Sequence, residues 1–150
     1  MTIEQILKTA SNMDPSKKTV VHTMFAGDYV LGRINSVLKP HDLTSQQYNV
    51  LRILRGQQGK PVSQKVIQER MINKNSNTTR LLDKLVKKKY VYREIDMENR
   101  RKLKIHITKD GRKILSKLDP LIDDIENKTT ENLTVEEMNT LNGLLEKLRH

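Results

Sequence analysis

Ser76, Asn77, Thr78, Thr79 and Arg80 are five consecutive hydrogen-bonding side chains, with Lys84 and the lysines at 87–89 following. None forms a nucleophile–base pair with a neighbour. What this set can do is donate and accept hydrogen bonds and neutralise phosphate. Leu81, Leu82 and Leu85 recur among them at helical spacing. Residues 75–89 are therefore predicted to form one helix with a polar start, an apolar stripe and a basic end. A helix that enters the major groove of DNA presents its first turn to base edges. An ordinary surface helix with an N-cap serine and C-terminal lysines would carry the same residues.

Charge placement favours the first use. The chain has 150 residues, enough for one domain with its own core, and a formal charge of +10. Residues 1–59 hold 7 Lys+Arg against 4 Asp+Glu, residues 60–104 hold 14 against 5, and residues 105–150 hold 7 against 9. The excess is concentrated around the predicted helix. A solvated lysine-rich face would give a milder version; a polyanion-binding module between charge-balanced helices predicts this concentration. A membrane-surface helix needs a broad apolar face with aromatics opposite the charge, and here the middle third has tyrosines only in a predicted strand. No apolar run approaches a membrane span and no signal peptide is evident, so a cytoplasmic location is expected. With no cysteine, disulfides, thiolate metal sites and thiol redox sensing are excluded.

The flanking elements follow from periodicity and breakers. A short helix is expected over 3–12, broken by Asp14-Pro15-Ser16. A longer one is expected over 17–39, with Val20, Met24, Leu31, Ile34 and Leu38 on one face. Thr44 with Gln47 makes a capping box for a helix burying Tyr48, Leu51 and Leu54. Ser63 caps a short helix with Val66, Ile67 and Met71 inward, and a turn at 73–75 leads into the central helix. Two short helices joined by a tight turn form a helix-turn-helix pattern, which also occurs in bundles that bind no nucleic acid.

After Lys89 the period becomes two. Strands around Val91–Ile95 and Leu103–Ile107 flank DMENRRK, a hairpin with a basic tip. Behind a helix-turn-helix such a hairpin has the layout of a wing, whose Arg100 and Arg101 would suit a minor groove. Thr108 caps a helix to about Lys128, which Asp119-Pro120 should kink or split. Thr134 with Glu137 boxes a last helix carrying Met138, Leu141, Leu145 and Leu148. Apolar helices at both chain ends, remote from the basic middle, suit a dimer interface; packing within one chain is the competing use.

In order and content the chain resembles the MarR family of bacterial winged-helix regulators, most closely from Leu43 to Gly111. LTSQQYNVLRIL is similar to that family's second helix, SQKVIQERM to the first helix of its helix-turn-helix, and SNTTRLLDKL to its recognition helix. NRRKLKIHITKDG is similar to its wing, with Arg101, Ile105, Ile107, Thr108 and Gly111 at the matching spacing. Two positions depart: Asn99 stands where the wing usually has an acid, and Lys89 where a glycine usually follows the recognition helix. The resemblance implies a mainly α (α+β) fold, a winged helix-turn-helix with N- and C-terminal dimerisation helices. Residues of about 1–40 and 109–150 would dimerise and about 43–108 would read DNA.

The resemblance further implies a homodimer on a pseudo-palindromic operator, released by a small aromatic or phenolic effector. On that expectation Ser76, Asn77, Thr78 and Thr79 hydrogen-bond base edges or nearby backbone, and Arg80 and Lys84 reach bases or phosphates. Ser63 and Gln64 contact phosphate, and Arg100 and Arg101 enter or flank the minor groove. Double-stranded DNA and a second copy are the expected partners, with no cofactor and no metal. The alternative is a small-molecule- or metal-sensing interaction protein with weak or secondary DNA binding. His22, His41, His106 and His150 are scattered without metal spacing, and Phe25, Tyr29 and Tyr48 suit a core better than a ligand cleft. No phosphate loop, nucleophile elbow or carboxylate pair supports an enzyme.

Overall fold

A side chain closes the first turn of every α-helix in the computed structural model, which describes residues 1–9 and 12–150. Among the described residues the helices are α1 (Ile3–Leu7), α2 (Pro15–Leu38), α3 (Ser45–Arg55), α4 (Gln64–Arg70), α5 (Thr78–Lys87), α6 (Lys109–Thr130) and α7 (Val135–Leu148). Their caps are Thr2, Asp14, Thr44, Ser63, Asn77, Thr108 and Thr134. The capping boxes expected at Thr44–Gln47 and Thr134–Glu137 are both present, and Thr2–Gln5 makes a third. Each cap satisfies amide donors that the helix itself leaves open.

Several boundaries differ from expectation, and α5, expected over 75–89, is Thr78–Lys87. The first helix ends at Leu7, because Lys8 turns left-handed at φ 51°; residues 10 and 11 of the expected 3–12 helix lie outside the described residues. Asp14-Pro15-Ser16 starts α2 rather than interrupting the chain. The Asp14 carboxylate accepts from the N–H groups of Ser16 and Lys17, and proline at the first helical position gives up a donor the helix would not use. Finally, α6 runs unbroken through Pro120. Ser116 and Pro120 are both exposed, so the missing hydrogen bond falls on the solvent side.

Strands β1 (Val91–Ile95) and β2 (Leu103–Ile107) pair antiparallel, with Val91 opposite Ile107 and Ile95 opposite Leu103. Val62 adds a one-residue third strand, exchanging two hydrogen bonds with Ile105 at 2.8 and 3.2 Å. Val91, Ile105 and Ile107 are buried, whereas Ile95 and Leu103 stand clear toward the tip. The period-two pattern therefore continues past the point where the core ends.

The core lies between α3, α5, α6 and the base of the hairpin. Leu51, Leu54, Leu82, Leu85, Leu115 and Leu118 are at its centre. Burying one such side chain stabilises the fold by roughly 1.5–3 kcal/mol, more than one net hydrogen bond at roughly 0.5–1.5 kcal/mol. The leucines of α5 thus set its rotation, and turn its polar residues away from the core. Arg55 of α3 grips Asp119 of α6 with two parallel bonds of 2.7 and 2.9 Å. That fork holds the Asp119 carboxyl below the usual carboxylate range.

At the end of β2 the chain turns into α6 past the carbonyl of Tyr90. A Cβ on Gly111 would lie 2.3 Å from that oxygen and 2.8 Å from Ile107 Cγ1. Only a residue without a side chain fits. Gly111→Ala should therefore destabilise the protein by about 1–3 kcal/mol, the usual cost of overpacking, although alanine is the better helix former; urea unfolding measures it. The Arg55–Asp119 pair has a pH signature. A depressed folded pKa contributes stability above the unfolded value and loses it as pH falls through the folded one. Asp119→Asn should cost about 1 kcal/mol or less at neutral pH, since both partners are more than a third exposed. In melting curves its deficit should shrink as pH falls below the usual carboxylate range and vanish once the folded-state Asp119 is protonated.

Candidate nucleic-acid interface

The α4–turn–α5 unit is set by side chains, not by packing alone. Asn77 is the cap of α5, its Oδ1 accepting from the Arg80 N–H at 3.1 Å. Ser76, the residue before it, donates instead to the Asn73 carbonyl at 2.7 Å and so shapes the turn. Gln68 of α4 spans that turn, donating through Nε2 to the Lys74 carbonyl at 2.8 Å and accepting through Oε1 from the Thr78 hydroxyl. One helical turn earlier, Gln64 Nε2 donates to Thr79 Oγ1 at 2.7 Å. Asn49 of α3 holds the far side, its Oδ1 accepting from the Ile72 N–H.

These bonds sort the candidate residues. Ser76 and Thr78 are buried, at 9% and 4% exposure, and their hydroxyls are used within the protein. They position the helix start and do not present side chains outward. Asn77, Thr79, Arg80 and Lys84 are exposed along the first turns of α5. Ser63 is the cap of α4, accepting from the Val66 N–H, and Gln64 is partly exposed beside it. Gln64, Gln68, Asn77 and Thr79 border one open groove between α4 and α5. Gln68 and Asn49 were not singled out from the sequence. For Gln68 the signal was there, as a second glutamine four residues after Gln64 on the same helix face.

The wing is organised by its acids. The Asp96 N–H donates to the Lys102 carbonyl at 3.0 Å and the Lys102 N–H to the Asn99 carbonyl at 2.8 Å, closing the tip. Asp96 accepts from the Glu98 N–H and pairs with Lys104 at 3.4 Å; the first of these, with the second, lowers its pKa. Asn99 Oδ1 accepts from the Arg101 N–H at 3.2 Å. The missing wing acid is thus replaced by a contact to the arginine's backbone, which leaves both guanidinium groups outward. Arg100 and Arg101 are exposed. At the base, Tyr92 and His106 stack with rings 4.5 Å apart, and Glu94 meets His106 Nε2 at 2.8 Å. Arg93 joins the wing to α5 through Asp83 at 2.7 Å.

Among the described residues Arg80, Lys84, Arg100 and Arg101 have no carboxylate partner. The four histidines do not converge either: no three His, Asp or Glu side chains come together as a metal site among the described residues. No helix is long and apolar enough to cross a membrane. Tyr48 is in the core, but Phe25 and Tyr29 are exposed on α2, where Tyr29 accepts from Arg33 at 3.0 Å.

Two helices in a tight turn, backed by a third and followed by a basic hairpin, define a winged helix-turn-helix protein. The model of the MarR family matches residues 43–103, from the start of α3 to the start of β2. MarR of E. coli, in its apo form, is 25% identical with a TM-score of 0.70, covering 92% of this chain and 98% of that one. A cysteine-to-serine mutant of MarR from E. coli complexed with operator DNA is 25% identical, with a TM-score of 0.80 over 92% and 99%. BpsR of Bordetella bronchiseptica, whose DNA binding is regulated by 6-hydroxynicotinic acid, is 21% identical, with a TM-score of 0.81 over 93% and 98%. No curated protein matches by sequence. The fold is the winged helix of MarR transcription regulators, and the MarR family model matches its α3-to-β2 stretch, residues 43–103.

The family glycine that is absent at position 89 leaves a mark. Tyr90 N–H donates to the Leu85 carbonyl and Lys89 N–H to the Val86 carbonyl, both at 3.0–3.1 Å. This is the glycine-type helix ending, with Lys89 in the left-handed region at φ 62°. A side chain there costs roughly 1–2 kcal/mol. Lys89→Gly should raise stability by about 0.5–1 kcal/mol, the strain relieved less the entropy gained by the unfolded chain; the shift in denaturant midpoint measures it.

Proposed function

We propose that the protein regulates transcription by binding a pseudo-palindromic DNA operator as a homodimer, with α5 in the major groove and the wing in the adjacent minor groove. The observation that carries this reading is the exposed row Asn77, Thr79, Arg80 and Lys84 on α5, without acidic partners, beside a hairpin tip whose two arginines are equally unengaged. The operator complex of E. coli MarR lends support, because this chain follows that structure over nine-tenths of its length. In this reading Thr79, Arg80 and Asn77 face bases or adjacent backbone, and Lys84 and Ser63 lie toward phosphates. Ser76 and Thr78 hold the helix start in place.

The homodimer rests on apolar surface. Val20, Met24 and Leu31 on α2, with Leu141, Leu144 and Leu148 on α7, are exposed in one chain. A second copy laid along these helices would bury them, leaving 43–108 free to read DNA. Release by a small aromatic acid is the further expectation, supported by the control of BpsR by 6-hydroxynicotinic acid. A cytoplasmic site of action follows from the same reading.

If a dimer neutralises about 6–10 phosphates, affinity for duplex DNA should fall roughly a thousandfold or more between 50 and 200 mM salt. Fluorescence anisotropy on genomic fragments tests this, and a flat salt response would contradict it. Arg101→Ala should weaken binding by about 1–3 kcal/mol; unchanged affinity would mean that the wing stays off the duplex.

A further inference from the structure

We propose that Ile95 and Leu103 form an apolar pad on the wing that packs against the sugars of the DNA strand lying between the two grooves. The proposal rests on the DNA-binding reading and adds to it a contact that carries no charge. Ile95 and Leu103 stand directly opposite each other in the hairpin and are 56% and 42% exposed. Side chains two apart on a strand share a face. The pad therefore continues the face of Val91, Ile105 and Ile107, past the point where the core covers it. That face is turned toward α5. Arg93 lies on it between Val91 and Ile95, and its guanidinium reaches Asp83 of α5 at 2.7 Å.

This placement says what covers the pad. With α5 in a major groove and the hairpin tip in the adjacent minor groove, one sugar-phosphate strand runs between them. The α5 side of the hairpin faces that strand. Its phosphates suit Arg100 and Arg101, exposed at the tip; its sugars present carbon-bound hydrogens and suit an aliphatic pair. The opposite face of the hairpin fits the duplex poorly. Glu94 stands there with its carboxylate on His106, and Tyr92 and His106 stack on each other at 4.5 Å.

The pad is also held in place before binding. Immediately beyond it the Asp96 N–H donates to the Lys102 carbonyl at 3.0 Å and closes the tip. Little ordering is left for DNA to impose, so the contact loses little to entropy. Its energy comes from removing apolar surface from water and changes little with salt, whereas each cation on a phosphate releases a counterion. The two kinds of wing contact are therefore separable by salt.

The test is a salt titration of binding to a duplex selected from random DNA, comparing the wild type with Ile95→Thr plus Leu103→Thr and with Ile95→Val plus Leu103→Met. Threonine keeps the strand preference and removes apolar surface. Melting temperature and dimer mass are measured for each protein. The threonine variant should melt like the wild type. It should bind roughly tenfold more weakly at every salt concentration, the worth of leaving the exposed parts of two large aliphatic side chains in water. Its slope of log affinity against log salt should be unchanged, whereas Arg101→Ala should lower that slope by about one. The valine–methionine variant, which keeps the apolar surface, should recover most of the affinity. Wild-type affinity in the threonine variant, a slope that falls with its affinity, no recovery by valine and methionine, or a loss of dimer mass would overturn the proposal and leave the regulator reading standing. A flat salt response of the wild type would overturn both.

Discussion

The carbonyl groups of Lys89 and Tyr90 are the junction through which the rest of the reading head is held together. The Lys89 carbonyl accepts from the Thr108 hydroxyl at 2.7 Å, and the Tyr90 carbonyl from the Thr108 N–H at 3.0 Å. The same threonine caps α6 through the Gly111 N–H. Four element ends therefore meet within a few residues: the close of α5, the opening of β1, the close of β2 and the first turn of α6. The approach is so tight that position 111 admits no Cβ. α5, the hairpin and the long α6 are fixed relative to one another here, by hydrogen bonds of the Thr108 hydroxyl and of its main chain. Arg55 and Asp119 tie α3 to α6 in a second place.

This rigid head contrasts with the two chain ends. In α7 no residue is buried, and much of α2 is apolar yet exposed, Met24 to 70%. Helices of this kind gain most of their stability from packing an apolar face, and here that face finds little of its own chain. The core accordingly divides: α3 to α6, the hairpin and the Leu38 end of α2 close on themselves, while the rest of α2 and α7 stay open. In the proposed homodimer this open surface is the one that would set the spacing of the two heads.

Much of this arrangement was legible in the sequence. Capping boxes at Thr44 and Thr134, the Ser63 cap and the switch of period after Lys89 gave the elements and their order, because each depends on neighbours in the chain. The run 76–80 marks the polar start of α5 but not which of its hydroxyls point outward. Ser76 and Thr78 turn inward because Asn73 and Gln68, from the turn and the preceding helix, meet them there; such partners are set by tertiary geometry. Leu121, Leu141 and Leu148 have the spacing of core residues and are exposed in one chain, since period alone does not tell a core from an interface. Asp14-Pro15-Ser16 read as a break because its two features, a cap and a proline at the first position, serve equally to end or to begin a helix.

The most direct test of the account is a hydroxyl-radical footprint of the protein on a duplex it has selected. Two rigid heads joined by a shared helical interface should protect a two-fold symmetric pattern. Its two halves should be centred about one helical turn apart, each flanked by minor-groove protection that Arg101→Ala removes. A single asymmetric stretch, or even protection without boundaries, would contradict it.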